Sequence, residues 1–340
     1  MTRNVADMAA PNPLSSVPAL RRDLERVESQ LRQSVQAEDP FLTEVASHLI
    51  LAGGKRVRPA FAVTAAATGR PSMGESSAEV ISGAVAVELV HLGSLYHDDV
   101  IDDASMRRTV DTVNARWGNL KAILAGDYLL ARASEIAASL GTEVAGLLAA
   151  TIARLCEGQI LELQSTFDPT RTEQSYLSSI DGKTAALLAT ASRIGGIVGD
   201  LPRPHIDALT RFGHSYGMAF QIVDDILDVT ASDEELGKPS GNDLVQGVYT
   251  LPVIRTLAAG GTDATRLAGL LGQPLSEAER DEARDLVRSG GQIDGALDVA
   301  RGYADDAAAA LQGLAPSEAG AALAAASDHL VEAVRVAGRQ

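Results

Sequence analysis

The chain has 340 residues, with 45 acidic against 29 basic side chains and a net charge of −16. An acidic excess of this size argues against a nucleic-acid binder, and a single cysteine, Cys156, excludes an intramolecular disulfide. Aromatic side chains make up only 4% of the chain, and no run alternates in the manner of a strand, so an all-α fold is expected.

The chain is long enough to bury a full core, as one large helical domain or two smaller ones. The N-terminus lacks a signal-peptide core, and no uncharged apolar stretch is long enough to span a bilayer, so a cytoplasmic protein without a membrane span is expected. Cys156 reads as a small buried hydrophobe, because nothing nearby in sequence supplies a base.

Residues 1–17, with Pro11 and Pro13 among small polar residues, read as a flexible tail ahead of a helical domain over 18–340. Apolar residues at helical spacing predict a helix from about Ala19 to Ala37, and a second short one after the break at Asp39 and Pro40. In LAGGKRVRPAF, Gly53 and Gly54 end that helix, and Lys55, Arg56 and Arg58 crowd positive charge ahead of Pro59. Three cations in four residues of an acidic chain suggest an anion site, although basic residues also gather at helix termini for electrostatic reasons.

A long helix is predicted from Ser76 or Ser77 to Asp103, with serine as the N-cap. It ends in LVHLGSLYHDDVIDD, where Asp98 and Asp102 share one face and His91 lies on the same stripe two turns earlier. Carboxylates clustered at a helix C-terminus repel each other and face the negative end of the helix dipole, so a cation should offset them. Oxygen ligands without cysteine favour Mg²⁺ or Mn²⁺ over zinc. Arg107 and Arg108 follow directly, and their forked donors suit phosphate oxygens.

Further helices are expected over Trp117–Leu140, Thr142–Gln164 and Glu173–Val198. Glu157 and Glu162 in the second read as solvated; Lys183 and Thr184 lie inside the third, where a lysine can also simply snorkel. The next helix opens at Pro202 and Pro204 and ends in FQIVDDILD, so that Asp224, Asp225 and Asp228 repeat the first cluster's spacing, with Gln221 on the same face. Acidic clusters are usually solvated faces, but two such stripes on two apolar helices are hard to explain that way. The following polar loop of about twenty residues contains Lys238 and is long enough to act as a lid. Beyond Leu251 helical patterns alternate with glycine breaks and suggest packing only.

Two acidic faces and a set of cations inside an apolar bundle describe a site for anionic groups that carry hydrocarbon, most economically a diphosphate ester. On the ordered motifs GGKRVRP, LVHLGSLYHDDVIDD with MRR after it, GKTAAL, FQIVDDILD and GKPSGNDLVQG with TLP, the chain resembles the trans-isoprenyl diphosphate synthases of the polyprenyl synthetase family, from about residue 40 to about residue 260. The resemblance implies a homodimeric all-α bundle around a deep cavity, with three Mg²⁺ ions between the aspartate motifs. It implies that Asp98 and Asp102 ligate two metals and Asp224, with Asp228, the third. Lys55, Arg58, His91 and Arg108 would then bind isopentenyl diphosphate, and Arg107, Lys183, Thr184, Gln221 and Lys238 the allylic diphosphate.

The implied reaction ionises the allylic substrate, condenses it with isopentenyl diphosphate and eliminates a proton. Asp98, Asp102, Arg107, Lys183 and Asp224 would carry the ionisation. Val248 stands where many relatives have a lysine, so one phosphate contact is unassigned. Ser94 and Gly93, four and five residues before Asp98, are small, and Val90, Val87, Ala86 and Gly83 follow deeper, with no Phe or Tyr in the way. A helix rises about 5.4 Å per turn, close to one isoprene unit, so this face predicts a medium or long polyprenyl product. Geranylgeranyl diphosphate is the alternative if another helix supplies a floor and Gly93 is small for packing.

Two other classes compete. A class I terpene cyclase would carry a different second metal motif and no isopentenyl site. A non-catalytic synthase subunit would have eroded aspartates. A hydrophobic product implies transient membrane contact at release, although no basic amphipathic helix is evident.

Overall fold

A computed structural model describes Leu14, residues 17–232 and residues 240–337. Lys238 and most of the predicted tail therefore lie outside the described residues. Leu14 and Val17, inside the stretch read as a tail, are buried in the core.

Local signals set the first helices. Helix α1 (Pro18–Ser34) starts on a proline and buries Leu20, Val27 and Leu31. Helix α2 (Pro40–Leu51) is capped by Asp39, whose carboxylate accepts the Phe41 N–H at 2.8 Å. Helix α3 (Val57–Ala67) is buried continuously from Pro59 to Ala67. Helix α4 (Ala78–Ile101), capped by Ser77, runs through the middle of the bundle with an almost unbroken buried stretch from Val80 to Gly93. A helix apolar on every side must be enclosed by others. α1, α3, α6 and α9 do this for α4.

After α4 the chain makes a two-residue hairpin, β1 (Met106–Arg107) against β2 (Val110–Asp111). These are the only strands among the described residues, so the all-α expectation holds for the architecture. Helices α5 (Val113–Trp117), α6 (Asn119–Ser139) and α7 (Thr142–Gln164) follow. The predicted helix over Glu173–Val198 is three pieces: α8 (Glu173–Ile180), a π-helical turn over Asp181–Ala185, and α9 (Ala186–Val198). Helix α10 (Arg203–Thr230) is the second long element, and packs against α9 and α15. The rest comprises α11 (Asn242–Val245), α12 (Leu251–Ala259), α13 (Gly261–Leu270), α14 (Glu277–Ser289), α15 (Gln292–Leu311) and α16 (Glu318–Ala337).

Two helices, α4 and α7, are long and apolar enough by length and composition to cross a membrane, although charged side chains interrupt both, so neither holds an uncharged run of that length. In α4 most of the apolar residues are core, with Ile101 at its end exposed. In α7 only Val144, Leu148, Thr151 and Gly158 are buried, along one stripe. Cys156 lies off that stripe and is exposed, which corrects its assignment to the core. Ile160, Leu161 and Leu163 of α7 and Leu120, Ile123 and Leu124 of α6 are exposed large apolar side chains.

Candidate active site

The C-terminal ends of α4 and α10 open onto one cavity of about 1130 Å³. Arg58, His91, Asp98, Asp102, Arg107, Arg108, Lys183, Thr184, Gln221 and Asp224 all line it. Residues spread over more than 160 positions in sequence thus meet in one chamber, whose apolar wall includes Leu95, Leu155, Leu187 and Phe220.

On the α4 side, Asp98 and Asp102 face the cavity while Asp99, about 100° around the helix, turns inward and is 1% exposed. The Asp99 carboxylate accepts the Arg107 Nε–H at 2.6 Å, and the Asn114 side-chain amide holds the carbonyls of Asp99 and Ala104 at 3.1 and 3.0 Å. Asp99 therefore anchors Arg107 rather than facing the cavity. The hairpin turn places Arg108 and Thr109 at φ of 51° and 66°, in the left-handed region where side chains are strained by about 1–3 kcal/mol each. That turn brings the Arg108 guanidinium back over the end of α2, where it donates to the carbonyls of Leu49 and Gly53. A Cβ on Gly54, at φ of 151°, would meet Arg108 at 2.8 Å, so Gly54 makes room for this arginine.

Lys183 and Thr184 sit on the π-helical turn. Here α7 and the turn touch backbone to backbone: a Cβ on Gly158 would meet the Lys183 nitrogen at 2.5 Å, and one on Gly182 would meet the Arg154 carbonyl at 2.7 Å. The extra residue of a π turn re-aims the side chains that follow it. Lys183 Nζ pairs with Glu162 Oε1 at 2.6 Å. Burial pulls the Lys183 amine down, but the Glu162 and Asp98 carboxylates outweigh it and the lysine stays charged. Glu162, read as solvated from sequence, lines the cavity. Only its tertiary partner reveals this.

On α10, Asp224 and Asp225 both line the cavity, Asp224 exposed and Asp225 buried in its wall, while Asp228 is buried outside it. Asp225 is held on both oxygens, by the Tyr176 phenol at 2.5 Å and the Gln221 amide at 2.8 Å; Thr184 in turn donates to Gln221 at 2.7 Å. Burial pushes the Asp225 carboxyl up, against the two donors, which hold it down. Asp228 does not line the cavity; its carboxylate accepts the Asp243 N–H at 3.3 Å and its carbonyl the Gly241 N–H at 2.8 Å, so it supports the returning loop. Lys55 is exposed and also stands outside the cavity lining. Arg56, counted from sequence with the anion-binding cluster, is buried between Glu28 and Glu88 at 2.8 and 2.9 Å.

Charge in the cavity is finely set. Burial lifts the Asp98 carboxyl to about 6, with Lys183 opposing and Asp102 adding to the rise, and burial raises Asp102 as well. Burial, then Arg58 and Arg108, hold His91 well below its ordinary value, so its imidazole is neutral. No three Asp, Glu, His or Cys side chains among the described residues gather closely enough to hold an ion alone. That donor set fits Mg²⁺, which takes one or two carboxylates, keeps waters and completes its shell with substrate phosphate oxygens.

The arrangement is an isoprenoid synthase fold: an all-α bundle with two aspartate faces, a ring of cations and an apolar interior. The polyprenyl synthetase family profile matches residues 39–287. The nonaprenyl diphosphate synthase of Mycobacterium tuberculosis is 40% identical over 314 residues, 92% of this chain and 93% of the relative. The heptaprenyl diphosphate synthase component 2 of Geobacillus stearothermophilus is 41% identical over 301 residues, 88% of this chain and 92% of the relative. Among solved structures, a polyprenyl synthase from Caulobacter crescentus, complexed with calcium and isoprenyl diphosphate, superposes with a TM-score of 0.88 at 32% identity, over 95% of this chain and 98% of that one. The chain belongs to the polyprenyl synthetase family and is a prenyltransferase.

Sequence reasoning missed Glu162, Arg171 and Tyr176 in the cavity wall. Gly93, offered as a determinant of product length, does not line the cavity: a Cβ there would meet the Gly126 carbonyl and Leu130 at 3.1 Å, so it is small for packing against α6. Val90, Val87 and Ala86 are core residues, and a Cβ on Gly83 would meet Ile194 at 2.8 Å. Ser94 alone of that series reaches the cavity.

Proposed function

We propose that the enzyme condenses isopentenyl diphosphate head-to-tail with an allylic diphosphate and repeats the step to a medium or long all-trans polyprenyl diphosphate. The observation that carries the reading is the convergence of Asp98, Asp102 and Asp224 with Arg58, Arg107, Arg108 and Lys183 on one apolar-walled cavity. The chain length follows the nonaprenyl and heptaprenyl relatives, since the small-residue face of α4 is mostly core.

Asp98 and Asp102 would hold two magnesium ions and Asp224, backed by Asp228, a third; bound there, they would supply charge compensation for a departing diphosphate. Arg107 and Lys183 bind that diphosphate, and Thr184 and Gln221 orient it. Arg58, Arg108 and the neutral imidazole of His91 donate to isopentenyl diphosphate, placing its double bond against the allylic carbon. Leu95, Leu155, Leu187 and Phe220 exclude water around the cation that forms. The proton lost in the last step goes to the departing diphosphate.

The uncovered apolar faces of α6 and α7 favour a homodimer, because patches of this kind are usually covered. The enzyme would work in the cytoplasm and release its product towards a membrane. The test is a product assay with purified protein, Mg²⁺, labelled isopentenyl diphosphate and C5 to C20 allylic primers, with a mass measurement in solution. Products well beyond C20 from a dimer are expected. A stop at C20 would replace the reading with a geranylgeranyl synthase, and no incorporation would point to a chain that needs a second component.

A further inference from the structure

We propose that Arg171, in the loop between α7 and α8, is a further diphosphate-binding residue on the allylic side of the cavity. The inference rests on the proposed function and adds a contact to it.

Arg171 lines the cavity and is 6% exposed. A buried cation normally sits against a carboxylate, because an unpaired charge in the interior is costly. Arg56, exposed to a similar 7%, obeys this with two glutamates. Arg171 makes no ion pair among the described residues. Its hydrogen bonds go to neutral acceptors, from Nη1 to the Tyr249 carbonyl at 3.0 Å and from Nη2 to the Ser179 hydroxyl, and its Nε is enclosed without a partner. A guanidinium has five N–H donors, so one hydrogen on each terminal nitrogen remains after those two bonds. Burial lowers the affinity of Arg171 for its proton, with Glu162 and Asp225 opposing from beyond contact distance. An anion entering the cavity would supply the missing counter-charge.

Its neighbours decide which anion. The guanidinium lies 5.5 Å from the Tyr176 ring, and Tyr176 leads through Asp225 and Gln221 to Thr184. That is the wall assigned to the allylic diphosphate. Arg58, His91 and Arg108 belong to α3, α4 and the hairpin. Arg171 also holds the Tyr249 carbonyl, next to Val248 in the cavity lining.

The test titrates full-length protein with Mg²⁺ and farnesyl thiodiphosphate, which does not ionise readily, and measures KM for farnesyl and isopentenyl diphosphates. A charge-assisted bond implies that R171Q weakens the analogue and raises the farnesyl KM by about 10- to 100-fold. The isopentenyl KM should stay within about twofold, a difference below 0.5 kcal/mol. R171K, which keeps charge without the fork, should fall between. Unchanged analogue affinity in R171Q would overturn the proposal. So would unchanged affinity in R171K if R171Q fails to fold, because Arg171 would then be a structural tie to Tyr249. Failure of the wild type to elongate any primer would instead defeat the proposed function, and the analogue titration would still report on Arg171.

Discussion

Asp98→Asn should stabilise the metal-free enzyme while removing its activity. Burial is the largest influence on Asp98 and lifts its carboxyl from an ordinary value near 3.8 to about 6, with Lys183 opposing and Asp102 adding. The folded value lies above the unfolded one, so between about pH 4 and 6 the folded state binds the extra proton and stability falls as pH rises. Above that window the ionised carboxylate carries the full penalty, at most about 3 kcal/mol for a difference of about two pH units. Water in the open cavity reduces this, so about 1–3 kcal/mol is expected. For a chain of this size that is about 1–4 °C in Tm. Thermal unfolding in EDTA should show the gain for D98N at pH 7.5, about half of it at pH 5 and little at pH 4, while turnover with Mg²⁺ falls at least about 100-fold. A lower Tm for D98N at pH 7.5 in EDTA would refute the reasoning, because the carboxylate would then be satisfied by the fold itself.

Tyr176→Phe removes a donor that opposes the burial-driven rise of the Asp225 carboxyl; the acid limb of kcat/KM should move to higher pH, and urea unfolding should show a loss of about 1.5–3 kcal/mol. Gly158→Ala sets a Cβ 2.5 Å from the Lys183 nitrogen; backbone cannot yield as a side chain does, so a loss of about 1–3 kcal/mol is expected, with a higher allylic KM as the lysine moves. Ser94→Phe should shorten the products on chromatographic sizing with the fold intact, whereas Gly93→Phe should lower Tm through collision with α6. The reverse pattern would return Gly93 to the cavity.

Much of the fold was legible because its signals are local. The bounds of α7 at Thr142 and Gln164, the start of α2 at Pro40 and the Ser77 cap of α4 follow from residues within a turn of each boundary. The π-helical turn is not local: it depends on Gly158 of α7 meeting Gly182, 24 residues on. The carboxylate faces were legible from helical spacing, but their individual roles were not. Asp98 and Asp99 are neighbours in sequence and lie about 100° apart on the helix, so one meets the cavity and the other an arginine. The same geometry separates the length determinants: Ser94, four residues before Asp98, is about 40° from its face, and Gly93, five before, about 140°. Distance along the helix alone had treated them as equivalent.

The position of the aspartates leaves their charge only partly compensated by the protein itself. Asp98 and Asp102 lie at the C-terminal end of α4, where the helix dipole is negative, and Asp224 lies less than two turns before the end of α10. Each carboxylate is worse placed there than on a surface, and burial already raises the proton affinity of Asp98 and Asp102. Across the same cavity, Arg58 and Arg108 are held by burial below the ordinary guanidinium range. Acids and bases on facing walls are thus both short of compensation. A divalent cation with a diphosphate satisfies the two together, and neither does so alone. Charge that would only destabilise a structural bundle becomes binding energy for an anionic ligand that arrives with its metal.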